Sequence, residues 1–134
     1  MVAVFYVEDG HPYDEVRVRR ALGPLLADDT HGQVWLLQPD EPGADAAGYA
    51  VLTWGWSLES GGREGLLDEL YVAAGWRRSG WGGLLIEQVI AQARAAGCGA
   101  LFLETVRPND RARAFYRRHG LVGQDSIWMR RELG

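Results

Sequence analysis

The sequence predicts a single α/β domain with an antiparallel first half and a strand-helix-strand crossover in its second. Three observations carry that expectation. Segments rich in strand formers alternate along the chain with segments of helical periodicity, turn clusters of Gly, Pro and Asp separate them, and no repeat or low-complexity stretch intervenes. At 134 residues, 47% apolar and 24% charged, the chain is long enough to bury a core without staples and has the balance of a soluble globular protein.

Taken in order, "VAVFYV" (2–7) reads as an opening strand. "HPYDEVRVRRAL" (11–22) reads as a helix that stops at "GP" (23–24), with a short helical turn, "LLADD", after it. "QVWLLQ" (33–38) and "AGYAVLTWGWSL" (47–58) are strands joined through the turn cluster "PDEPGAD" into a hairpin. "SGG" (60–62) turns the chain into the strand "EGLLDELYV" (64–72). From Gly82, the residues Leu85, Ile86, Val89, Ile90 and Ala93 recur at helical spacing until "AAGCG" ends the helix. "ALFLET" (100–105) is a buried strand, and "NDRARAFYRRHG" (109–120) is a helix with Ala112, Phe115, Tyr116 and His119 on one face. The tail "SIWMRREL" has the pattern of a last strand.

Several function classes drop out on composition. The longest apolar runs, "ALFL" and "GYAVL", cannot cross a bilayer, and "MVAVFYVEDG" lacks the basic flank and long apolar core of an export signal, so a cytoplasmic protein without membrane contact is expected. The single cysteine, Cys98, has no partner for a disulfide and no metal-site spacing, so no metal is expected. A net charge of -4 argues against nucleic acid as a partner. Yet all fourteen basic residues are arginine, whose planar fork suits phosphate.

That preference matters most in "GWRRSGWGGLLIEQVI" (75–90), where Gly80, Gly82 and Gly83 follow Arg77 and Arg78 at the start of a helix. A strand, a loop and then a glycine-lined helix start present unpaired backbone N–H groups at the positive end of the helix dipole. Without side chains in the way, a diphosphate can lie against that backbone. A Walker loop needs "GK" followed by Ser or Thr, and there is none. A dinucleotide fingerprint needs glycine where Leu85 stands. The pattern that fits is R-x-x-G-x-G: Arg77, Arg78, Ser79, Gly80, Trp81, Gly82.

This pattern resembles the pyrophosphate loop of the GNAT superfamily of acyl-CoA-dependent N-acyltransferases. Its flanks agree: "DELYV" looks like the family's fourth strand, and "NDRARAFYRRHGL" is similar to the family's N-x-x-A-x-x-F-Y-x-x-x-G signature at Asn109, Ala112, Phe115, Tyr116 and Gly120. The resemblance is close over residues 66–121, while the first half matches only in its order of elements. Arg78 replaces a glycine that many members carry, and Leu121 stands where Phe is commoner.

The resemblance implies a GNAT-like fold: a mixed, mostly antiparallel sheet whose central strands, here 64–72 and 100–105, splay apart to admit the pantetheine arm of acetyl-CoA. Backbone groups of Leu70, Tyr71 and Val72 would hold the arm, Arg77 to Gly83 the pyrophosphate, and Asn109 and Phe115 the cofactor beside the 109–120 helix, unless Asn109 only caps it. An N–H near Leu70 would polarise the thioester carbonyl. Tyr116 stands where the family usually has its general acid. An ammonium must lose a proton before attack, and Glu69, then Asp68, then Glu104 are the candidate bases. Consecutive strand residues point to opposite faces, so only one of Asp68 and Glu69 reaches the cleft unless a bulge intervenes.

Layout is closest to polyamine and other small-amine acetyltransferases, with Trp54, Trp56, Glu59, Glu104 and Asp125 as candidates for a cationic pocket. A protein or peptide amine and an aminoglycoside are rival acceptors. A non-catalytic acyl-CoA sensor that keeps the loop without turnover is the alternative of a different class. The family also implies a homodimer, formed through the tail strand.

Overall fold

The computed structural model describes residues 1–134 and divides into two compact units, Met1–Glu104 and Thr105–Gly134. The first unit carries helices α1 (Val2–Glu8) and α2 (Glu15–Ala27), strands β1 (Gly32–Leu37), β2 (Gly48–Ser57) and β3 (Gly62–Val72), a 3₁₀ turn (Ala74–Trp76), helix α3 (Trp81–Ala95) and strand β4 (Leu101–Phe102). The second carries helix α4 (Asp110–Arg118). No helix is long and apolar enough to cross a membrane.

The four strands form one mixed sheet in the order β1-β2-β3-β4, antiparallel except for the parallel β3–β4 pair. Alternation divides the apolar residues between two faces. On one, Tyr49, Val51 and Tyr71 form a buried cluster against Val2, Phe5 and Leu25 of α1 and α2. The other receives α3, which buries Leu85, Ile86, Val89 and Ala93.

The first segment corrects the expected strand at 2–7. It is a helix because Val2 and Phe5 share a stripe that packs on the Tyr49 cluster, while Tyr6 beside them reaches Glu69. The next helix also departs from expectation: α2 starts where Asp14 accepts a hydrogen bond from the Arg17 N–H, then runs through Gly23 and Pro24 to Ala27, absorbing the separate turn. Leu22 and Leu25 lie on its sheet-facing side, and Pro24 sits on the exposed side, where water can satisfy the carbonyl its ring leaves unpaired. The tail expected as a strand has no strand structure, and its Ile127, Trp128 and Met129 are exposed.

Two irregularities shape the middle of the sheet. Val51 faces Glu69 while Leu52 faces Leu67, so Asp68 is an extra residue, a β-bulge in β3. The expected strand 100–105 pairs only through Leu101 and Phe102, opposite Gly65 and Leu66. A Cβ on Gly65 would stand 3.1 Å from Leu101 Cδ1, which shows how tightly the strands meet there. Residues 67–72 of β3 then continue with no parallel neighbour, so the two strands part just before the bulge.

Candidate active site

The bulge decides what β3 presents. Before it, Gly65 and Leu67 point to the α3 face; after it, Glu69 and Tyr71 point to the α1–α2 face. Asp68 and Glu69 therefore face the same way, and both line a pocket of about 110 Å³ beneath α1 and α2.

Glu69 is held by two phenols. The Tyr49 hydroxyl donates to its Oε1 at 2.7 Å and the Tyr6 hydroxyl to its Oε2 at 2.9 Å. Burial, and then the carboxylate beside each ring, push both phenols up, Tyr6 to about 12, so they stay protonated donors. Asp68 has no hydrogen-bond partner. Its side chain touches water yet sits in a concavity crowded by protein, and that desolvation holds its carboxyl above the usual carboxylate value. A carboxylate with a raised pKa and free oxygens is a better proton acceptor than one whose oxygens both accept phenol hydrogens. Sequence placed Glu69 before Asp68; in the structure both Glu69 oxygens are engaged by phenols while those of Asp68 are free.

At the end of β3, Arg77 turns back over the strand. Its Nε donates to the Val72 carbonyl at 2.8 Å, a terminal nitrogen meets Glu8 Oε2 at 2.6 Å, and the guanidinium lies 5.5 Å from the Tyr71 ring centroid. The Ser79 hydroxyl donates to the Trp76 carbonyl and pins the loop. Helix α3 then starts from Gly80, at φ 85° and with no side-chain cap, and its first intrahelical bond is from the Leu84 N–H to the Gly80 carbonyl, so the amides of Trp81, Gly82 and Gly83 have neither an intrahelical partner nor a capping group. Arg78, exposed beside them, sits at φ 64°, the left-handed region that glycine adopts freely. That is the position where the sequence departs from the family's glycine.

In the second unit, Asn109 caps α4 by accepting the Ala112 N–H at 3.1 Å, while Arg113 bonds the Val106 carbonyl, the Arg107 carbonyl and Asp110. The Phe115 ring lies 5.1 Å from Tyr116 and 5.0 Å from His119. Tyr116 is half-buried, and that burial raises its phenol above the ordinary tyrosine value.

None of the first-unit residues expected at the acceptor pocket lines the space beside Asp68 and Glu69. Trp54 and Trp56 lie on the face of β2 opposite Tyr49 and Val51, at the hairpin end of the strand. Trp54 donates to the Asp29 carbonyl and stacks under Arg63, and Trp56 is 77% exposed. Glu59 is exposed in the 58–61 turn, and Glu104 is exposed beyond β4; neither lines the Asp68–Glu69 pocket. Asp125 is exposed in the second unit. Sequence reasoning missed Tyr6 and Tyr49. The alternation of Tyr49 with Val51 along the strand is a signal that could have marked a buried face, whereas the carboxylate beneath it depends on the bulge.

The family model for the acetyltransferase (GNAT) family matches residues 3–121. No match was found among curated protein sequences. Among solved structures, the chain is similar to the integron cassette protein HFX_CASS3 from the mobile metagenome of Cole Harbour Salt Marsh, with 28% identity over 99% of this chain and 80% of that one, at a TM-score of 0.85. Its fold is also shared with the aminoglycoside acetyltransferase meta-AAC0020 from an uncultured soil metagenomic sample, solved with sisomicin, at 19% identity, TM-score 0.75, and 98% and 82% coverage. A third is the aminoglycoside 6'-N-acetyltransferase AAC(6')-IG of Acinetobacter haemolyticus, at 20% identity, TM-score 0.72, and 91% and 84% coverage. With the parted strands, the bulge and the uncapped glycine-led helix all in place, the chain belongs to the GNAT family and is an acyltransferase.

Proposed function

We propose that this enzyme transfers an acetyl group from acetyl-CoA to a primary amine by direct attack, residues 1–134 working as one acyltransferase domain. The observation that carries the reading is the bulge at Asp68, which turns two carboxylates to one side where β3 leaves β4. The start of α3 fits the cofactor: uncapped amides at Trp81, Gly82 and Gly83, with Arg77 and Arg78 nearby, suit a pyrophosphate. Backbone groups of Leu70, Tyr71 and Val72, on the part of β3 that has no parallel neighbour, suit the amides of the pantetheine arm. Acetyl-CoA supplies an acyl thioester, and every other task falls to the chain.

The Leu70 N–H polarises the acyl carbonyl. Asp68 takes a proton from the incoming ammonium and, being open to water, releases it there. Glu69, fixed by Tyr6 and Tyr49, holds the ammonium by charge. As the carbon–nitrogen bond forms and the carbon–sulfur bond breaks, Tyr116 gives its phenol proton to the departing thiolate, and the second proton, shed by the new amide nitrogen, passes to solvent, from which the phenol regains its own. The family signature and the burial that keeps this phenol protonated support that role. The exposed Ile127, Trp128 and Met129 of the tail support a homodimer, which sedimentation of wild type against a variant with all three changed to Ser would test.

The enzymatic test is thiol release from acetyl-CoA over a panel of amines. The Asp68→Asn variant should lose about 100-fold in kcat/KM, within the usual range for a general base, with acetyl-CoA affinity retained. Tight acetyl-CoA binding with no thiol released by any amine would overturn the reading.

A further inference from the structure

The pocket that holds Asp68 and Glu69 says more about the acceptor than its charge. We infer that the acceptor is a primary amine on a slim, unbranched alkyl arm, and that the apolar wall formed by α2 and Val51 measures that arm. The inference rests on the proposed transfer and narrows its substrate.

Only one end of the pocket is polar, where Asp68, Glu69 and the Tyr6 hydroxyl meet. No basic side chain lines it, so two carboxylates face an unmatched space that suits a cation. The remaining wall is aliphatic: Val18, Ala21, Leu22 and Leu25 from α2, with Val51 beneath. At about 110 Å³ the space is smaller than the roughly 150 Å³ apolar cavity that takes a benzene ring, so a chain of a few methylenes fits it better than a substituted ring. An amino sugar carries hydroxyls on neighbouring carbons. Against Val18, Leu22 and Leu25 those hydroxyls would lose their water and find no partner, a cost an alkyl arm does not meet. The fold is shared with aminoglycoside acetyltransferases, but this wall is built for methylenes.

An aminoalkyl group can come from a free alkylamine or diamine, or from a lysine side chain. Thiol release from acetyl-CoA separates the cases, using n-alkylamines from methylamine to hexylamine, cyclohexylamine, sisomicin and an Nα-blocked lysine peptide. The expected kcat/KM rises about fourfold per methylene and levels off near four carbons, with cyclohexylamine and sisomicin at least ~10-fold below butylamine. Activity of the lysine peptide equal to butylamine would assign the arm to a protein, and activity well below it to a small molecule; both outcomes support the aminoalkyl class. Ala21→Phe, on an exposed position of α2 that lines the pocket, should move the optimum to shorter chains without changing acetyl-CoA affinity. Ala21→Leu provides the same test at smaller volume if the larger ring is not tolerated. A flat series, or sisomicin outpacing butylamine, overturns the inference while transfer itself stands. Bound acetyl-CoA with no thiol from any amine overturns both.

Discussion

Removing the Tyr49 hydroxyl isolates the contact that fixes Glu69. Tyr49 is 3% exposed, and its hydroxyl lies 2.7 Å from Glu69 Oε1, so Tyr49→Phe leaves the ring packing intact and deletes one half-buried bond to a carboxylate. A hydrogen bond to a charged group contributes about 1.5–3 kcal/mol, and the low end applies here because Tyr6 still holds the other oxygen. For a chain of 134 residues that corresponds to a fall in Tm of roughly 5–7 °C. Tyr6→Phe breaks a longer bond, 2.9 Å, from a less buried ring, and should cost less. Thermal unfolding of Tyr49→Phe, Glu69→Gln and the double variant gives the decisive comparison. Because the two groups are in contact, the effects should be non-additive by about 1 kcal/mol or more. Additive effects, or a Tyr49→Phe variant that melts within a degree of wild type, would refute the reasoning.

Further outcomes follow from the same geometry. Arg78→Gly should raise Tm by roughly 3–4 °C, because about 1 kcal/mol of left-handed strain is relieved at φ 64°, whereas Arg78→Ala keeps its Cβ and the strain; equal melting of the two would remove strain as the cause. Tyr116→Phe should reduce kcat by about 100-fold with acetyl-CoA affinity intact. Because burial raises the Tyr116 phenol, the alkaline fall in wild-type kcat should lie above pH 10, the ordinary tyrosine value, and a fall centred below it would assign the acid elsewhere. Desolvation raises the Asp68 carboxyl, so its protonated form favours the fold and the stability it contributes is lost as pH rises from 3.8 through the raised value. Asp68→Asn should flatten that part of a Tm-against-pH curve, and an unchanged slope would show that the carboxyl is not desolvated.

The two helices of the second half were legible because their signals are local. Gly80, Gly82 and the period of Leu85, Ile86, Val89 and Ala93 located α3, and the partial burial of Ala112, Phe115, Tyr116 and His119 follows the face read from their spacing. Residues 2–7 misled because a six-residue apolar run has the same composition in a buried strand and in a helix; what makes it helical is the Tyr49 cluster from β2 and β3. Pro24 misled for a related reason, since contacts of Leu22 and Leu25 outweigh the helix-stopping signal. The candidate site turned on a single register step. Near the hairpin Leu52 faces Leu67, and only the extra Asp68 brings Glu69 beneath Tyr49. No residue type announces such a bulge, so the parity of the two acids could not be read in advance. Trp54 and Trp56 drew attention by composition, but their strand parity sends them to the other face.

The central claim, that an open β3 edge and the bare start of α3 together grip acetyl-CoA, can be measured by amide hydrogen exchange with and without the cofactor. Slowed exchange at residues 70–72 and at Trp81, Gly82 and Gly83, in the same experiment, is the expected result. Acetyl-CoA that binds while leaving both stretches unprotected would contradict it.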